Sequence, residues 1–206
     1  MKLVLASNNA KKLAELQRLF EGLPIELVPQ GALGVDEAEE PHHTFVENAL
    51  AKARHAARTT GLPAIADDSG LCVDALGGAP GVQSAVFSPM PPAQANREAQ
   101  RRAQDAANNA LLQGQMRNAT DRSCRFVSTL VALRHADDPE PLIAFGRWQA
   151  RLLEAPRGEG GFGYDPLVWI DALGASVAEL AADVKNRHSH RALAAAQMRE
   201  LIRRSW

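Results

Sequence analysis

Leu3-Val4-Leu5-Ala6-Ser7-Asn8-Asn9-Ala10-Lys11-Lys12 is the stretch on which the fold turns. Its apolar residues match a short buried strand, and after the polar segment Leu13, Leu16, Leu19 and Phe20 recur at helical spacing. Gly22 and Pro24 stop that helix, and Ile25 to Val28 forms a second short apolar run. Strand, helix, strand in quick succession points to α/β architecture. Ser7 to Lys12 then lies at a strand-to-helix handover, where free backbone N–H groups and the positive end of the helix dipole converge. A phosphate suits that geometry, with Ser7 and Asn9 as neutral donors and Lys12 as a charge one turn in. The segment lacks the glycine spacing of a Walker loop or a dinucleotide fingerprint. On its own it reads first as an ordinary helix cap with a solvated lysine.

Downstream, Gly31 to Pro41 is an acidic loop carrying Asp36, Glu37, Glu39 and Glu40. Thr44 followed by Glu47 fits a capping box, and Phe45, Ala49, Ala53 and Ala56 give the following helix its apolar stripe until Gly61 and Pro63. Ala64 to Ala66 is strand-like and runs into Asp67-Asp68-Ser69-Gly70, which places two carboxylates at a strand end; Leu71 to Leu76 is extended again. After a proline-rich loop from Ser88 to Pro92, the alanine-rich polar stretch Gln94 to Met116 reads as an exposed helix with no obvious chemistry. Cys124 to Arg134 and Leu142 to Leu153 are strands joined by a turn. A glycine-rich loop from Gly158 to Pro166 precedes a strand at Leu167 to Ile170, and helices are expected near Val177 to Val184 and Ser189 to Arg204. With no fixed-period repeat and no long linker, residues 1–206 are expected to be a single α/β domain built on a mixed sheet.

The 206 residues are 46% hydrophobic, enough for one sizeable core or a core shared by two lobes. A net charge of -1, from 23 basic and 24 acidic residues, gives no overall positive field for a nucleic acid polymer or an anionic membrane. Phosphate recognition must therefore be local. Cys72 and Cys124 have no metal-ligand spacing and suit a reducing compartment. The apolar run near the start is too short for a signal-peptide core, and no 18 consecutive residues are apolar, so a cytoplasmic enzyme is expected.

Asp67-Asp68 after a buried strand suits a hard cation such as Mg²⁺, which takes oxygen ligands beside waters and phosphates, with Glu39 or Glu40 as a further donor. The same four residues also read as a hydrogen-bonded turn. Phe162 and Tyr164, alternating with Gly161 and Gly163, suit stacking on a nucleobase, or simple anchoring of their loop. Lys185, Arg187, His188, His190 and Arg191 form a basic cluster able to meet phosphate or a carbonyl, or a solvated basic face.

In one chain these signals form an ordered set: Ser7 to Lys12, Glu39-Glu40, Thr44 to Ala49, Lys52-Ala53, Ala66 to Leu71, Gly77 to Val82, Gly160 to Pro166, Lys185 and Ser189-His190-Arg191. Over nearly its whole length the chain resembles the inosine triphosphate pyrophosphatase family, also described as dITP/XTP pyrophosphatases. The resemblance implies hydrolysis of non-standard purine triphosphates to the monophosphate and pyrophosphate. It implies that Ser7, Asn8, Asn9, Ala10, Lys11 and Lys12 cradle the triphosphate, that Glu40 and Asp68 hold Mg²⁺, and that Asp68 is the general base. Ser69 would touch substrate; Phe162, Gly163, Tyr164 and Asp165 would hold the purine; Lys185, His190 and Arg191 would contact base and phosphates. Arg191 is the expected cation beside purine position 6. The implied fold is an elongated α/β structure with a long mixed sheet and two lobes around a nucleotide cleft, in a homodimer. A Maf-like pyrophosphatase, which shares the Leu-Ala-Ser opening, is disfavoured by the Gly-Phe-Gly-Tyr-Asp loop and Ser189-His190-Arg191. A non-catalytic nucleotide-binding module is disfavoured by intact Lys12, Glu40 and Asp68.

Overall fold

The structure, a computed structural model, describes residues 1–206. Strand β1 (Lys2–Leu5) pairs in parallel with β2 (Glu26–Pro29), Leu3 opposite Leu27, and with β3 (Ala64–Val73), Val4 opposite Ala64. Parallel neighbours need crossovers. Helices α1 (Ala10–Leu19) and α2 (Phe45–Thr60) supply them. The Asn9 side chain caps α1, Thr44 caps α2, and Gly61 closes α2 at a φ of 69°.

Further along come α3 (Arg97–Gln115), β4 (Ser123–Leu133), β5 (Leu142–Leu152), β6 (Val168–Ile170), β7 (Ala175–Ser176), α4 (Ala182–His188) and α5 (His190–Ser205). All strands join one seven-stranded sheet in the order β2-β1-β3-β4-β5-β6-β7. The pairs β5/β6 and β6/β7 are antiparallel, so the sheet is mixed and the expected α/β class holds.

The chain divides into two compact units. The first comprises residues 1–68, 128–147 and 186–206, the second residues 69–127 and 148–185, and the boundaries fall inside β3, β4, β5 and α4. In the first unit alternate residues from β1 through Ala6, which follows it, enter different cores. Leu3 and Leu5 pack with Leu16, Phe20, Ile65 and Met198, whereas Val4 and Ala6 pack with Ala49, Ala53, Ala56 and Val131. A period of two with both faces apolar is what a strand covered on both sides requires. The second unit has its own core, centred on Leu71, Val73, Leu112, Met116, Trp148 and Leu167.

Three expectations are corrected. The extended run expected from Leu71 to Leu76 ends at Val73, and Asp74–Leu76 is a 3-10 turn. Asp67-Asp68-Ser69-Gly70 neither turns nor ends a strand; it lies in the middle of the ten-residue β3. Ser128 and Lys12 meet Asp67, Lys52 meets Asp68 Oδ1, and a Cβ on Gly70 would stand 2.3 Å from the Gly81 carbonyl oxygen, so glycine there permits a close approach. The helix expected near Val177 to Val184 is broken. A 3-10 turn at Val177–Glu179 is held by the Ser176/Glu179 capping box, Leu180 is extended, and α4 begins at Ala182.

Candidate active site

The first unit gathers two ionic groups. Asn9 holds the start of α1 by accepting from the backbone N–H of Lys11 at 3.1 Å and of Lys12 at 3.3 Å, and the Asn9 N–H donates to Ser7 Oγ at 3.2 Å. The handover thus takes the form expected, and it projects Lys12 onto Asp67, with Nζ 3.0 Å from Oδ2. Asp67 is fully buried on its side chain, accepts from Ser128 Oγ at 2.7 Å and faces Arg191 Nη2 at 3.5 Å; Arg191 Nη1 pairs with Glu15. Burial works to raise the Asp67 carboxyl, but Lys12, Arg191 and the Ser128 hydroxyl outweigh it and hold the group well below the usual carboxylate range.

The second group is Glu40, Lys52 and Asp68. Lys52 Nζ donates to Glu40 Oε2 and to Asp68 Oδ1, each at 2.8 Å. Burial pushes the Asp68 carboxyl up to about 6; Lys52 and Lys12 oppose the rise and the Glu40 charge adds to it. Burial also acts to raise Glu40, where Lys52 prevails and lowers it. Adjacent aspartates therefore differ sharply in character. Lys12 and Arg191 favour the ionised form of Asp67, whereas burial favours the protonated form of Asp68.

Asp68 Oδ2 is buried without a hydrogen-bond partner, an arrangement that costs free energy unless a ligand meets it. A hard cation fits: Glu40 and Asp68 supply two carboxylates, and Mg²⁺ characteristically completes its shell with waters and phosphate oxygens. No group of three or more His, Cys, Asp or Glu side chains forms a metal cage by itself.

In the second unit the glycine-rich loop is tied down by side chains. Asp165 Oδ2 accepts from the Phe162 N–H at 3.0 Å and from Lys185 Nζ at 2.8 Å, and Lys185 Nζ stands 4.5 Å from the centroid of the Phe162 ring. A Cβ on Gly161 would lie 2.1 Å from Asp165 Oδ2, so the turn needs glycine. Gly163 donates to Asp105 Oδ2 and accepts from Asn109 Nδ2, both at 2.9 Å.

Among the residues expected at the site, the structure brings together Ser7, Asn9 and Lys12 with Asp67 and Arg191, then Glu40 with Asp68, and in the other unit Phe162 and Gly163 with Asp165 and Lys185. Asn8 lies against Gly31, where an added Cβ would come within 2.9 Å of its Oδ1. Ala10 and Lys11 open α1, Ser69 is half-buried in β3, and His190 is buried in the first turn of α5 behind its Ser189 cap. Tyr164 has its ring 4% exposed in the second core, and its hydroxyl donates to the Ser84 carbonyl at 2.9 Å, which anchors the loop. Arg191 is 2% exposed and already engaged by two carboxylates.

Residue patterns alone gave no role to Lys52, Glu15, Asp105 or Asn109. Lys52 lies in a quoted motif but owes its role to meeting two carboxylates from distant segments, and Glu15 sits one turn after Lys12 on α1. Nothing local marks the other two.

The family model described as "Ham1 family" matches residues 3–201. A protein of Methylibium petroleiphilum named dITP/XTP pyrophosphatase is 70% identical over 206 residues, covering 100% of this chain and 99% of its own. One of the same name from Burkholderia pseudomallei is 58% identical, covering 94% and 89%. Among solved structures, a HAM1 protein from Coxiella burnetii superposes with a TM-score of 0.89 at 39% identity, and the Staphylococcus aureus Ham1 protein with 0.84 at 29%, each covering 100% of both chains.

Proposed function

The chain belongs to the Ham1 family, and on that premise we propose that it hydrolyses non-standard purine nucleoside triphosphates (ITP, dITP and XTP) to the nucleoside monophosphate and pyrophosphate. The observation that carries the proposal is the geometry of Asp68, which shares the Lys52 ammonium with Glu40 through Oδ1 and keeps Oδ2 buried without a hydrogen-bond partner.

In the proposed mechanism Asp68 accepts a proton from water as the water oxygen attacks the α-phosphorus. The bond from that phosphorus to the bridging oxygen breaks, and pyrophosphate leaves. No covalent intermediate is needed. Backbone N–H groups at the start of α1, with Ser7, Asn8, Asn9, Ala10 and Lys11, are assigned to phosphate oxygens, and Lys12 to the charge that develops on them. Glu40 and Asp68 would hold Mg²⁺, which supplies positive charge beside phosphate oxygens and lowers the proton affinity of nearby water. Lys52 keeps the two carboxylates together.

Phe162 is assigned to stack on the purine, with Gly163, Asp165 and Lys185 shaping that place and Ser69 and His190 as further contacts. Arg191 is assigned to the keto oxygen at purine position 6, which requires it to exchange its Glu15 partner for the nucleotide. Adenine presents a donor at that position, so the guanidinium would discriminate against it. The chain is proposed to act as one catalytic domain and homodimer in the cytoplasm; no helix is long and apolar enough to cross a membrane.

Product analysis with inosine triphosphate tests the reading. Pyrophosphate and inosine monophosphate are expected in equal amounts, with Asp68→Asn slower by roughly 10²-fold or more; inorganic phosphate as first product, or full turnover by that variant, overturns it. Arg191→Met should collapse the preference for inosine over adenosine triphosphate. An equal loss on both would remove Arg191 from base recognition. A sedimentation mass equal to one chain would rule out the homodimer.

A further inference from the structure

We propose that Asp105 and Asn109 of α3 are positioning residues for nucleobase recognition, clamping from outside the Gly163 peptide that follows Phe162. The inference rests on the reading of the Phe162 loop as the purine platform. Spaced four apart, the two side chains share one face of the helix. Asp105 Oδ2 accepts the Gly163 N–H and Asn109 Nδ2 donates to the Gly163 carbonyl, each at 2.9 Å, so one helix meets both polar groups of a single loop residue. Gly163 has a φ of 62° and no side chain to hold that left-handed conformation, so the restraint must come from elsewhere.

The clamp is directional. Asn109 Oδ1 is buried without a hydrogen-bond partner, and turning the amide would set that oxygen against the Gly163 carbonyl; the loop selects the orientation. The helix is itself fixed beside the loop. Asn108 Oδ1 accepts from the Ser88 N–H at 2.8 Å while its Nδ2 donates to the Ser84 carbonyl at 3.2 Å, the carbonyl that also receives the Tyr164 hydroxyl. From the other end Asp165 holds the Phe162 N–H. The Phe162 backbone is therefore ordered before any base arrives. Ordering a loop in advance removes a cost that binding would otherwise carry, so it acts on affinity and leaves the chemical step alone.

The experiment compares kcat and KM for inosine triphosphate, and the inhibition constant of inorganic tripolyphosphate, which has no base, in Asp105→Ala, Asp105→Asn and Asn109→Asp. Asn109→Asp puts a carboxylate against a carbonyl. Asp105→Ala removes the acceptor, and Asp105→Asn retains one. The expected result is KM raised about five- to tenfold in Asp105→Ala and Asn109→Asp, with kcat within about twofold. Tripolyphosphate inhibition should not change, and Asp105→Asn should recover most of the loss. Unchanged KM overturns the proposal, as does a fall of kcat and tripolyphosphate affinity in step with KM, or loss of the folded state in both disruptive variants. Phe162→Ala, run in parallel, separates the two readings: wild-type nucleotide affinity in that variant would remove the loop from purine binding. A weakened Phe162→Ala beside unaffected clamp variants would remove the clamp alone.

Discussion

At the residue scale, Asp67 and Asp68 are neighbours of one chemical type with opposed properties. Both are buried, and burial alone drives each carboxyl upward. Asp67 meets two cations and a hydroxyl, whereas Asp68 shares one ammonium with Glu40. The consequence can be read by carboxyl-carbon NMR on the metal-free protein. Asp68 should titrate with a midpoint of about 6, and Asp67 should show no inflection between pH 8 and 3. The effects on stability have opposite signs. Asp68, raised in the folded state, contributes stability that is full below the ordinary carboxyl value of 3.8 and is lost as the pH rises through about 6. Asp67, lowered in the folded state, contributes stability that is present above 3.8 and lost as the pH falls below it. An Asp68 midpoint near 4 would show a carboxylate still in water, and the general-base assignment would fall with it.

At the element scale, two glycines in regular structure make opposite predictions. Gly146 lies in β5 where α5 begins: an added Cβ would stand 1.8 Å from the His190 carbonyl oxygen and 2.7 Å from the Ala194 nitrogen. Backbone cannot yield as a side chain end can, so Gly146→Ala must move the first turn of α5, which carries His190 and Arg191. Overpacking of this kind costs about 1–3 kcal/mol. For a chain of this length that lowers the melting temperature by roughly 2–12 °C. Gly114, inside α3, has nothing within 4 Å of its would-be Cβ. There Gly114→Ala should stabilise by about 0.5–1 kcal/mol through helix propensity and a less flexible unfolded chain. Calorimetry on the two variants decides. Equal melting temperatures would mean that β5 and α5 do not meet as closely as Gly146 indicates.

At the scale of the whole molecule, a net charge of -1 leaves attraction of a polyanionic nucleotide to local groups, chiefly Lys12, Lys52, Lys185 and the start of α1. The proposed metal is not needed to keep the acidic residues in place, because Lys52 already bridges Glu40 and Asp68. Removing divalent cations with a chelator should therefore stop turnover while shifting the melting temperature by no more than about 3 °C, the effect of roughly 1 kcal/mol in a chain of this size. A drop of 10 °C or more, of the order of 3 kcal/mol, would make the metal structural and displace Lys52 from that role.

Local signals in the sequence were enough for the α/β class, for the bounds of α1, α2 and α3 to within a few residues, and for the strand-to-helix handover at Ser7 to Lys12. Each depends on neighbours in the chain: apolar periodicity, capping side chains and helix-stopping glycine or proline. Asp-Asp-Ser-Gly misled because turn propensity is a local preference, and burial beside Lys12, Ser128 and Lys52 overrode it. Stacking and loop anchoring were both open for Tyr164, which follows Gly163, because burial by a core assembled from distant segments leaves no local mark. The unequal aspartates, the Arg191 pairing with Glu15, and the hold of Asp105 and Asn109 on Gly163 join residues separated by 54 or more positions, or depend on burial. Charge and hydrogen bonding act through distance in space, so only the tertiary structure decided them.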